Sequence, residues 1–201
     1  MTEAAAILIA YLLGGIPFGY LLVRLKTGRD VRSMGSGNIG ATNVLRTTSR
    51  ALGIVTLLLD VAKGFAAVEI ARVLAGGAPA WMAAAALAVM AGHAYPVFLK
   101  FRGGKAVASY IGAFLYLAPL PLLGALIVFV IVVARWRYIS LGSMVAAAVF
   151  PALVWAISHP PAPIVFAAAI AGAFIIWRHK ENISRLRAGK EHALSFGGQR
   201  A

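Results

Sequence analysis

Residues 4–23, AAAILIAYLLGGIPFGYLLV, decide the class of this protein because twenty consecutive positions carry no charged side chain. A helix of about 20 apolar residues crosses the hydrocarbon core of a bilayer, which is about 30 Å thick. The stretch follows only Met-Thr-Glu, whereas a cleaved signal peptide begins with positive charge. We therefore predict a membrane span that is retained in the mature protein.

The composition of the whole chain agrees with a membrane protein. Of its 201 residues, 61% are hydrophobic and 12% are charged, and the mean hydropathy is +0.86. Globular chains average about 25% charged residues. The 19 Lys and Arg outnumber the 6 Asp and Glu, which gives a formal net charge of +13. Such an excess is typical of nucleic-acid binding or of membrane topology. The absence of cysteine excludes disulfides, thiolate metal sites and a cysteine nucleophile.

Further uncharged or nearly uncharged stretches predict additional spans. They cover residues 52–74, 78–99, 106–134, 141–157 and 162–177. The 29 uncharged residues of 106–134 fit one long tilted helix or two short helices, and the sequence Pro119-Leu120-Pro121 favours a turn between two. The sequence therefore predicts an all-α integral membrane protein with seven transmembrane helices, forming a single domain over residues 1–201.

The basic residues are distributed as seven spans require. Residues 24–50 carry six, the segment 100–105 carries three, the segment 135–140 carries two and the tail from 178 carries six. The alternate turns, near Gly76, Pro119 and His159, carry no Lys or Arg. Seventeen of the 19 basic residues therefore lie on one side of the membrane. The positive-inside rule makes that side cytoplasmic. We expect the N-terminus outside and the C-terminus in the cytoplasm, and we expect no nucleic-acid partner.

The run MGSGNIGATN at residues 34–43, here called the first loop, precedes Arg46. Its glycines match the dinucleotide pattern G-x-G-x-x-G, but no strand–helix–strand unit surrounds them. Glycines allow close backbone approach, and N–H groups that open a helix bind anions. We predict an anion site, with a flexible interfacial loop as the alternative. Its candidate residues are Gly35, Ser36, Gly37, Asn38, Gly40, Thr42, Asn43 and Arg46.

A second loop, residues 92–106, contains GHAYPVF and then FRGGKA. It is no P-loop, because Leu99 stands where the first glycine is required and Ala106 follows the lysine. A lysine after two glycines at the start of a span is placed to meet a phosphate, although it also sets topology. The candidate residues are His93, Gly103, Gly104 and Lys105. The alternative for the histidine is packing at a helix end.

The tail from 178 holds the third cluster, RHKENISR, and continues to Glu191. If the last helix continues through it, His179 and Asn182 share one face, and Arg185 lies on the adjoining face with Asn182. Such a face presents a titratable group and an amide at the membrane surface. The alternative is a basic segment that binds anionic lipid headgroups.

Two smaller features complete the candidates. Ser140 and Ser143 lie at the mouth of a span, where ordinary helix capping is the alternative. Asp60 and Lys63 lie three residues apart inside the second span. Because intramembrane charges are costly, we predict that the two form a paired support for a polar cavity.

These clusters together describe a cationic, glycine-lined pocket at the cytoplasmic membrane face. Ser, Thr and Asn side chains add hydrogen-bonding groups, which suits a phosphorylated small molecule beside membrane lipid. No metal site is expected, because the carboxylates are scattered and the four histidines lack paired spacing.

Residues 35–43, 92–105 and 179–191 resemble the three cytoplasmic motifs of the bacterial acyl-phosphate:glycerol-3-phosphate acyltransferases, the PlsY type. The pairs Asp60 with Lys63 and Ser140 with Ser143 also fit, so the resemblance covers nearly the whole chain. It implies an enzyme of phospholipid biosynthesis in the bacterial inner membrane. That enzyme transfers a fatty acyl group from acyl phosphate to the 1-hydroxyl of glycerol 3-phosphate, giving lysophosphatidic acid and phosphate, with no cofactor.

The resemblance also suggests roles. The catalytic candidates are Ser36, Asn38, Arg46, Lys105, His179 and Asn182. The other candidates, including Arg185 and Glu191, are expected to bind substrate, except Asp60 and Lys63, which are expected to give structural support. Lys105 and Arg46 neutralise phosphate, and Ser143 with the first-loop N–H groups completes its hydrogen bonds. Ser36, Asn38 and Asn43 orient the donor and stabilise the developing oxyanion. His179 and Asn182 position the glycerol hydroxyl. The base is either His179 or the donor's own phosphate, which we favour, because an acyl phosphate is already activated. A covalent acyl-Ser36 intermediate is the rival route.

Two other possibilities receive less support. Many glycerolipid acyltransferases place Asp five positions after His, but the aspartates here, Asp30 and Asp60, both precede the first histidine. An organophosphate or anion transporter is the alternative function class. Transporters tend to show internal repeats and a site near the bilayer midplane, whereas this chain shows no repeat and places its polar clusters at one face.

Overall fold

The computed structural model describes residues 1–194, and every regular element within them is helical, which confirms the predicted all-α class. The helices are α1 (Thr2–Gly15), α2 (Phe18–Thr27), α3 (Ala41–Thr47), α4 (Arg50–Leu74), α5 (Pro79–Ala94), α6 (Val107–Leu117), α7 (Pro119–Trp136), α8 (Ile139–Leu153), α9 (Ala162–Arg178) and α10 (Lys180–Arg187). Single tighter turns occur at Val31–Ser33 and Val97–Leu99, and a wider π-helical turn occurs at Val154–Ser158.

Several of these helices are long and apolar enough to cross a membrane. Within residues 1–194 five segments qualify, namely Thr2–Thr27, Arg50–Leu74, Pro79–Leu99, Pro119–Trp136 and Ile139–Ser158. The pair α9 and α10, bent by 54°, is a sixth candidate when the two helices are counted as one span. Helix α6 has 11 residues and is therefore only about 16 Å long, shorter than the hydrocarbon core. The chain is a multi-pass membrane protein, while the seventh span and the orientation stay predictions.

Prolines set the breaks between neighbouring helices. Pro17 has no backbone N–H and disfavours helical backbone at Ile16, so the first span is divided into α1 and α2. Pro119 occupies the first turn of α7, and the chain leaves helical geometry at Ala118. Residues 106–134 therefore form two helices, as predicted, but the break lies at Ala118, and Pro119-Leu120-Pro121 form the start of α7.

The described residues form two compact units, of which the first is Met1–Leu117 and the second begins at Ala118. In the first unit α1 packs against α5 and α4, and α4 packs against α6. The helices approach backbone to backbone, since a Cβ added at Gly14 would lie 2.1 Å from the carbonyl oxygen of Val89. One added at Gly112 would lie 1.9 Å from that of Val61. Such small-residue contacts are typical of helix packing in membranes.

In the second unit α8 packs between α7 and α9. Gly172 of α9 lies against α8, where an added Cβ would be 2.5 Å from the carbonyl oxygen of Ala147. The chain after α10 returns to the start of α8, because the N–H of Leu194 donates to the carbonyl of Arg137 at 2.6 Å and Arg137 Nε donates to the carbonyl of Leu194 at 3.1 Å. The single domain expected over residues 1–201 stays a prediction.

Candidate active site

The buried side chain of Asn43 organises the first loop. Its Nδ2 donates to the carbonyl oxygens of Asn38 at 2.8 Å, Met34 at 3.0 Å and Val31 at 3.3 Å. Its Oδ1 accepts from the N–H of Ser36 at 2.9 Å. All polar atoms of this amide are therefore engaged by the loop backbone. Asn43 holds the loop in place, and its predicted contact with the donor stays a prediction.

The remaining polar groups of the first loop divide into engaged and available ones. The N–H of Gly40 donates to Asn38 Oδ1 at 2.8 Å, and the N–H of Gly37 donates to the carbonyl of Met34 at 2.9 Å. The N–H groups of Asn38 and Ile39 make no hydrogen bond within residues 1–194. The N–H groups of Gly35, Ala41 and Thr42 make none in that part of the chain either, so these groups also remain to meet an anion.

Three predicted side chains of this segment also have open polar atoms. The half-buried hydroxyls of Ser36 and Thr42 make no hydrogen bond within the described part of the chain. Arg46 is exposed on α3 and makes no side-chain hydrogen bond or ion pair there. Two hydroxyls and a guanidinium thus remain available to a ligand.

The second loop is anchored to the end of α5. The N–H of Gly103 donates to the carbonyl of Ala94 at 3.1 Å, and the N–H of Gly104 donates to the carbonyl of His93 at 3.0 Å. A Cβ added at Gly104 would lie 2.3 Å from His93 Nε2 and 3.5 Å from Asn38 Oδ1. The glycine pair, Gly103 and Gly104, therefore lies where the first loop, the second loop and the His93 ring meet, directly before half-buried Lys105.

The backbone on both sides of the glycine pair is strained. Lys100, Phe101 and Ala106 have φ angles of 52°, 61° and 62°, which side chains other than glycine rarely adopt. Such conformations persist only where the surrounding structure fixes them, and they concentrate at functional sites. The path of the second loop is thus determined by its tertiary contacts.

A buried polar network lies behind the glycine pair. Lys63 Nζ lies 2.8 Å from Asp60 Oδ1 and donates to the carbonyl of Ile16 at 2.8 Å, beside the break in the first span. His93 Nδ1 lies 3.1 Å from Ser109 Oγ and 3.7 Å from Asp60 Oδ1. The sequence indicated Asp60, Lys63 and His93. It gave no sign of Ser109, because one hydroxyl in an apolar helix belongs to no motif.

In the second unit, the carboxylate of Glu191 accepts hydrogen bonds from three side chains. Oε1 accepts from Ser140 Oγ at 2.9 Å and from Asn182 Nδ2 at 2.7 Å, and Oε2 accepts from Arg185 Nε at 2.8 Å. The carboxylate is buried, with 6% of its side chain exposed. Burial raises the pKa of Glu191, but the hydrogen bonds from Asn182, Arg185 and Ser140 outweigh it and hold that pKa below its ordinary value. Glu191 is therefore an anion that organises this cluster.

The orientations of the His179 ring and of the Asn182 amide are fixed by hydrogen bonds. His179 is buried, and its Nδ1 lies 2.7 Å from the carbonyl oxygen of Ile175. Because a carbonyl only accepts, Nδ1 carries the proton, and Nε2 is the basic nitrogen of the neutral ring. Asn182 Oδ1 is buried and has no hydrogen-bond partner in the described part of the chain. The Glu191 contact on Nδ2 fixes the orientation of this amide.

The structure differs from the expected straight last helix, and it shows a local hydrogen bond for Ser143. The last span does not continue straight through His179, since α9 and α10 meet there at a 54° bend. The apolar sequence ends at Trp177 and a polar, basic segment follows, which is stable at the membrane surface rather than in the core. Ser143 Oγ donates to the carbonyl of Ile139 at 2.9 Å, one turn back on its own helix. Its role toward phosphate stays a prediction.

The sequence model of one protein family, described as glycerol-3-phosphate acyltransferase, matches residues 4–189. The chain belongs to the glycerol-3-phosphate acyltransferase family. Among its relatives, the glycerol-3-phosphate acyltransferase of Geobacter sulfurreducens is 49% identical over 192 residues, which cover 96% of this chain and 97% of the relative. That of Trichlorobacter lovleyi is 52% identical over 184 residues, covering 90% and 92%. The resemblance seen in the motifs is confirmed.

Solved structures of this acyltransferase family share the fold. A crystal structure of PlsY, an integral membrane glycerol 3-phosphate acyltransferase, in its glycerol 3-phosphate form has a TM-score of 0.91 and 37% identity, covering 97% of this chain and 96% of that chain. The lysophosphatidic acid form has a TM-score of 0.88 and 36% identity, with the same coverage. The chain is therefore an acyltransferase of lipid biosynthesis in a membrane, and the transporter interpretation is set aside.

Proposed function

We propose that this acyltransferase transfers a fatty acyl group from acyl phosphate to the 1-hydroxyl of sn-glycerol 3-phosphate. The products are 1-acyl-glycerol 3-phosphate, which is lysophosphatidic acid, and phosphate. The observation that carries the proposal is that Asn38, the glycine pair and His93 lie together, and that Lys105 directly follows the glycine pair. A phosphate group is bound well where the backbone can approach it closely and a cation is near. The PlsY structures support it, because one is a glycerol 3-phosphate form and the other a lysophosphatidic acid form.

The reaction needs positioning and charge stabilisation. The glycerol hydroxyl oxygen attacks the carbonyl carbon of the acyl phosphate, and the new ester bond replaces the bond from that carbon to the phosphate oxygen. The phosphate leaves with the bonding electron pair and takes the hydroxyl proton, so the donor acts as its own base. Lys105 and Arg46 neutralise the phosphates, and Ser36 with Asn38 orients the donor and stabilises the oxyanion that develops.

The second unit supplies groups suited to the acceptor. Asn182 Oδ1 is an unengaged buried acceptor whose direction is fixed through Glu191, and it accepts a hydrogen bond from the glycerol hydroxyl in this proposal. His179 Nε2 is the basic ring nitrogen and also an acceptor, so it shares the one hydroxyl proton with Asn182 Oδ1 until the leaving phosphate takes that proton. The hydrogen bonds from Asn182, Arg185 and Ser140 hold the pKa of Glu191 below its ordinary value, so the carboxylate stays ionised and maintains the arrangement.

The donor and the mechanism are tested with purified protein in detergent, palmitoyl phosphate and labelled glycerol 3-phosphate. We expect lysophosphatidic acid and phosphate in equal amounts and no labelled acyl-enzyme in a single turnover. Activity with only acyl-CoA or acyl carrier protein would overturn the donor, and a trapped ester on Ser36 would overturn direct transfer. Ser33→Ala is the matched control for Ser36→Ala, because Ser33 donates only to the nearby carbonyl of Asp30.

We further propose that the enzyme lies in the bacterial inner membrane with seven spans and with its active site in the cytoplasm. The support is the one-sided distribution of seventeen of the 19 basic residues. The natural chain has no cysteine, so single cysteines at exposed Ala80 and Lys180 report sidedness cleanly. In intact spheroplasts an impermeant maleimide should label Ala80→Cys and spare Lys180→Cys. The opposite pattern would reverse the topology.

A further inference from the structure

The His93 ring is held between two different environments. Its Nδ1 edge faces Ser109 Oγ at 3.1 Å and Asp60 Oδ1 at 3.7 Å. Its Nε2 edge faces Gly104, where even one added methyl carbon would lie 2.3 Å from the nitrogen. Any rotation or shift of this ring therefore moves it into the glycine pair or away from it.

The groups behind the ring are themselves fixed. Asp60 is paired with Lys63 at 2.8 Å, and Lys63 is tied to the carbonyl of Ile16 at 2.8 Å. Ser109 is fully buried, and its backbone oxygen would be 2.1 Å from a Cβ added at Gly64 of the neighbouring helix. The hydroxyl that contacts His93 thus sits on a helix that has almost no room to move.

This arrangement defines the ring chemically as well as sterically. The Asp60 carboxylate near Nδ1 favours the tautomer that carries its proton on Nδ1, because its negative charge attracts the N–H group. In that tautomer Nδ1–H donates a hydrogen bond to Ser109 Oγ across the 3.1 Å contact. Nε2 then carries the lone pair, on the side of the ring that faces Gly104. The N–H of Gly104 donates a hydrogen bond to the carbonyl of His93.

We propose that Ser109, supported by Asp60, is a positioning residue of this acyltransferase. It fixes the orientation of the His93 ring, and the ring sets the place of the glycine pair that receives a substrate phosphate group. This inference rests on the proposed function. The phosphate belongs either to glycerol 3-phosphate or to the acyl phosphate, so the KM of each substrate is measured separately.

The test is Ser109→Ala, which removes one oxygen atom and keeps a residue that favours helix. We expect the KM of one phosphorylated substrate to rise about five- to tenfold with little change in kcat, because a phosphate held equally in the ground and transition states affects KM. The matched control is Thr56→Val. Thr56 is also fully buried, but its hydroxyl donates only to the carbonyl of Leu52 on its own helix at 2.7 Å, so both constants should stay unchanged.

A double-mutant cycle separates positioning from general structural damage. In a His93→Gln background Ser109→Ala should have no further effect on KM or on the thermal stabilisation that glycerol 3-phosphate and inorganic phosphate give. An unchanged KM in the single variant, or an equal effect with and without His93, overturns the inference. If the wild type binds glycerol 3-phosphate but makes no product from acyl phosphate, the proposed donor is wrong, and the binding cycle still decides the role of Ser109.

Discussion

Replacing Gly104 by Ala tests the contact between the glycine pair and His93. The added Cβ would lie 2.3 Å from Nε2 and 2.9 Å from Cδ2 of the ring, whereas ordinary contacts begin at 3.4 Å. The ring or the loop must therefore move by about 1 Å. A displacement of that size at a positioned site costs about 10²-fold in rate, so we expect kcat/KM to fall about 100-fold, which corresponds to about 2.7 kcal/mol.

The assay is the initial rate with palmitoyl phosphate and glycerol 3-phosphate, measured beside thermal unfolding in the same detergent. Gly124→Ala is the matched control, because its Cβ would meet Leu153 Cδ1 at an ordinary 3.4 Å. The control should keep full activity, and both variants should unfold near the wild-type temperature. A Gly104→Ala enzyme with wild-type kcat/KM would refute the importance of this contact. An unfolded one would show that the glycine serves the fold instead.

Three further outcomes are expected. Gly112→Ala should lower the free energy of unfolding by about 3 kcal/mol, because its Cβ would lie 1.9 Å from the backbone oxygen of Val61. The Tm should fall by roughly 5–10 °C relative to Gly124→Ala. A wild-type Tm would contradict the close packing of α4 and α6. Glu191→Gln should lower the Tm at pH 7. The folded-state pKa of Glu191 is below its ordinary value, so the carboxylate stabilises the fold at pH values above that ordinary pKa. Its contribution disappears as the pH falls through the folded-state pKa. A Tm difference between variant and wild type that persists in acid would contradict a role for the ionised carboxylate. His179→Gln should reduce kcat by less than about tenfold, and a loss of 10²–10⁴ in saturating substrate would identify His179 as the general base.

The features predicted from the sequence are those set by local solvation and backbone chemistry. The uncharged residues 4–23 lie within the helical segment Thr2–Thr27, since apolar side chains and a self-bonded backbone are what a bilayer requires. Pro119 marks the start of α7 because proline fits the first helical turn, where its missing N–H costs no intrahelical hydrogen bond. Glycine-rich segments separated by about 60 residues meet at Asn38 and Gly104, although the sequence indicated only that both suit phosphate.

What the sequence did not indicate depends on tertiary contacts. Ser109 is one hydroxyl in an uncharged stretch, and its partner His93 lies on another helix. The carbonyl of Ile16 becomes an acceptor for Lys63 only because the first span breaks there. Glu191 was grouped with substrate-binding residues by its place in a motif. Its three side-chain donors come from the start of α8 and from α10, which are separated from it by up to 51 positions.

The ion pair between Asp60 and Lys63 has a consequence for how the protein enters the membrane. Both residues belong to α4 and lie one turn apart, so the pair closes as soon as that helix forms, before α1 or α5 is in place. Asp60 and Lys63 then enter the bilayer as a pair without net charge, which avoids the cost of two separate charges in hydrocarbon. The polar support of the site therefore requires no particular order of helix assembly during biosynthesis.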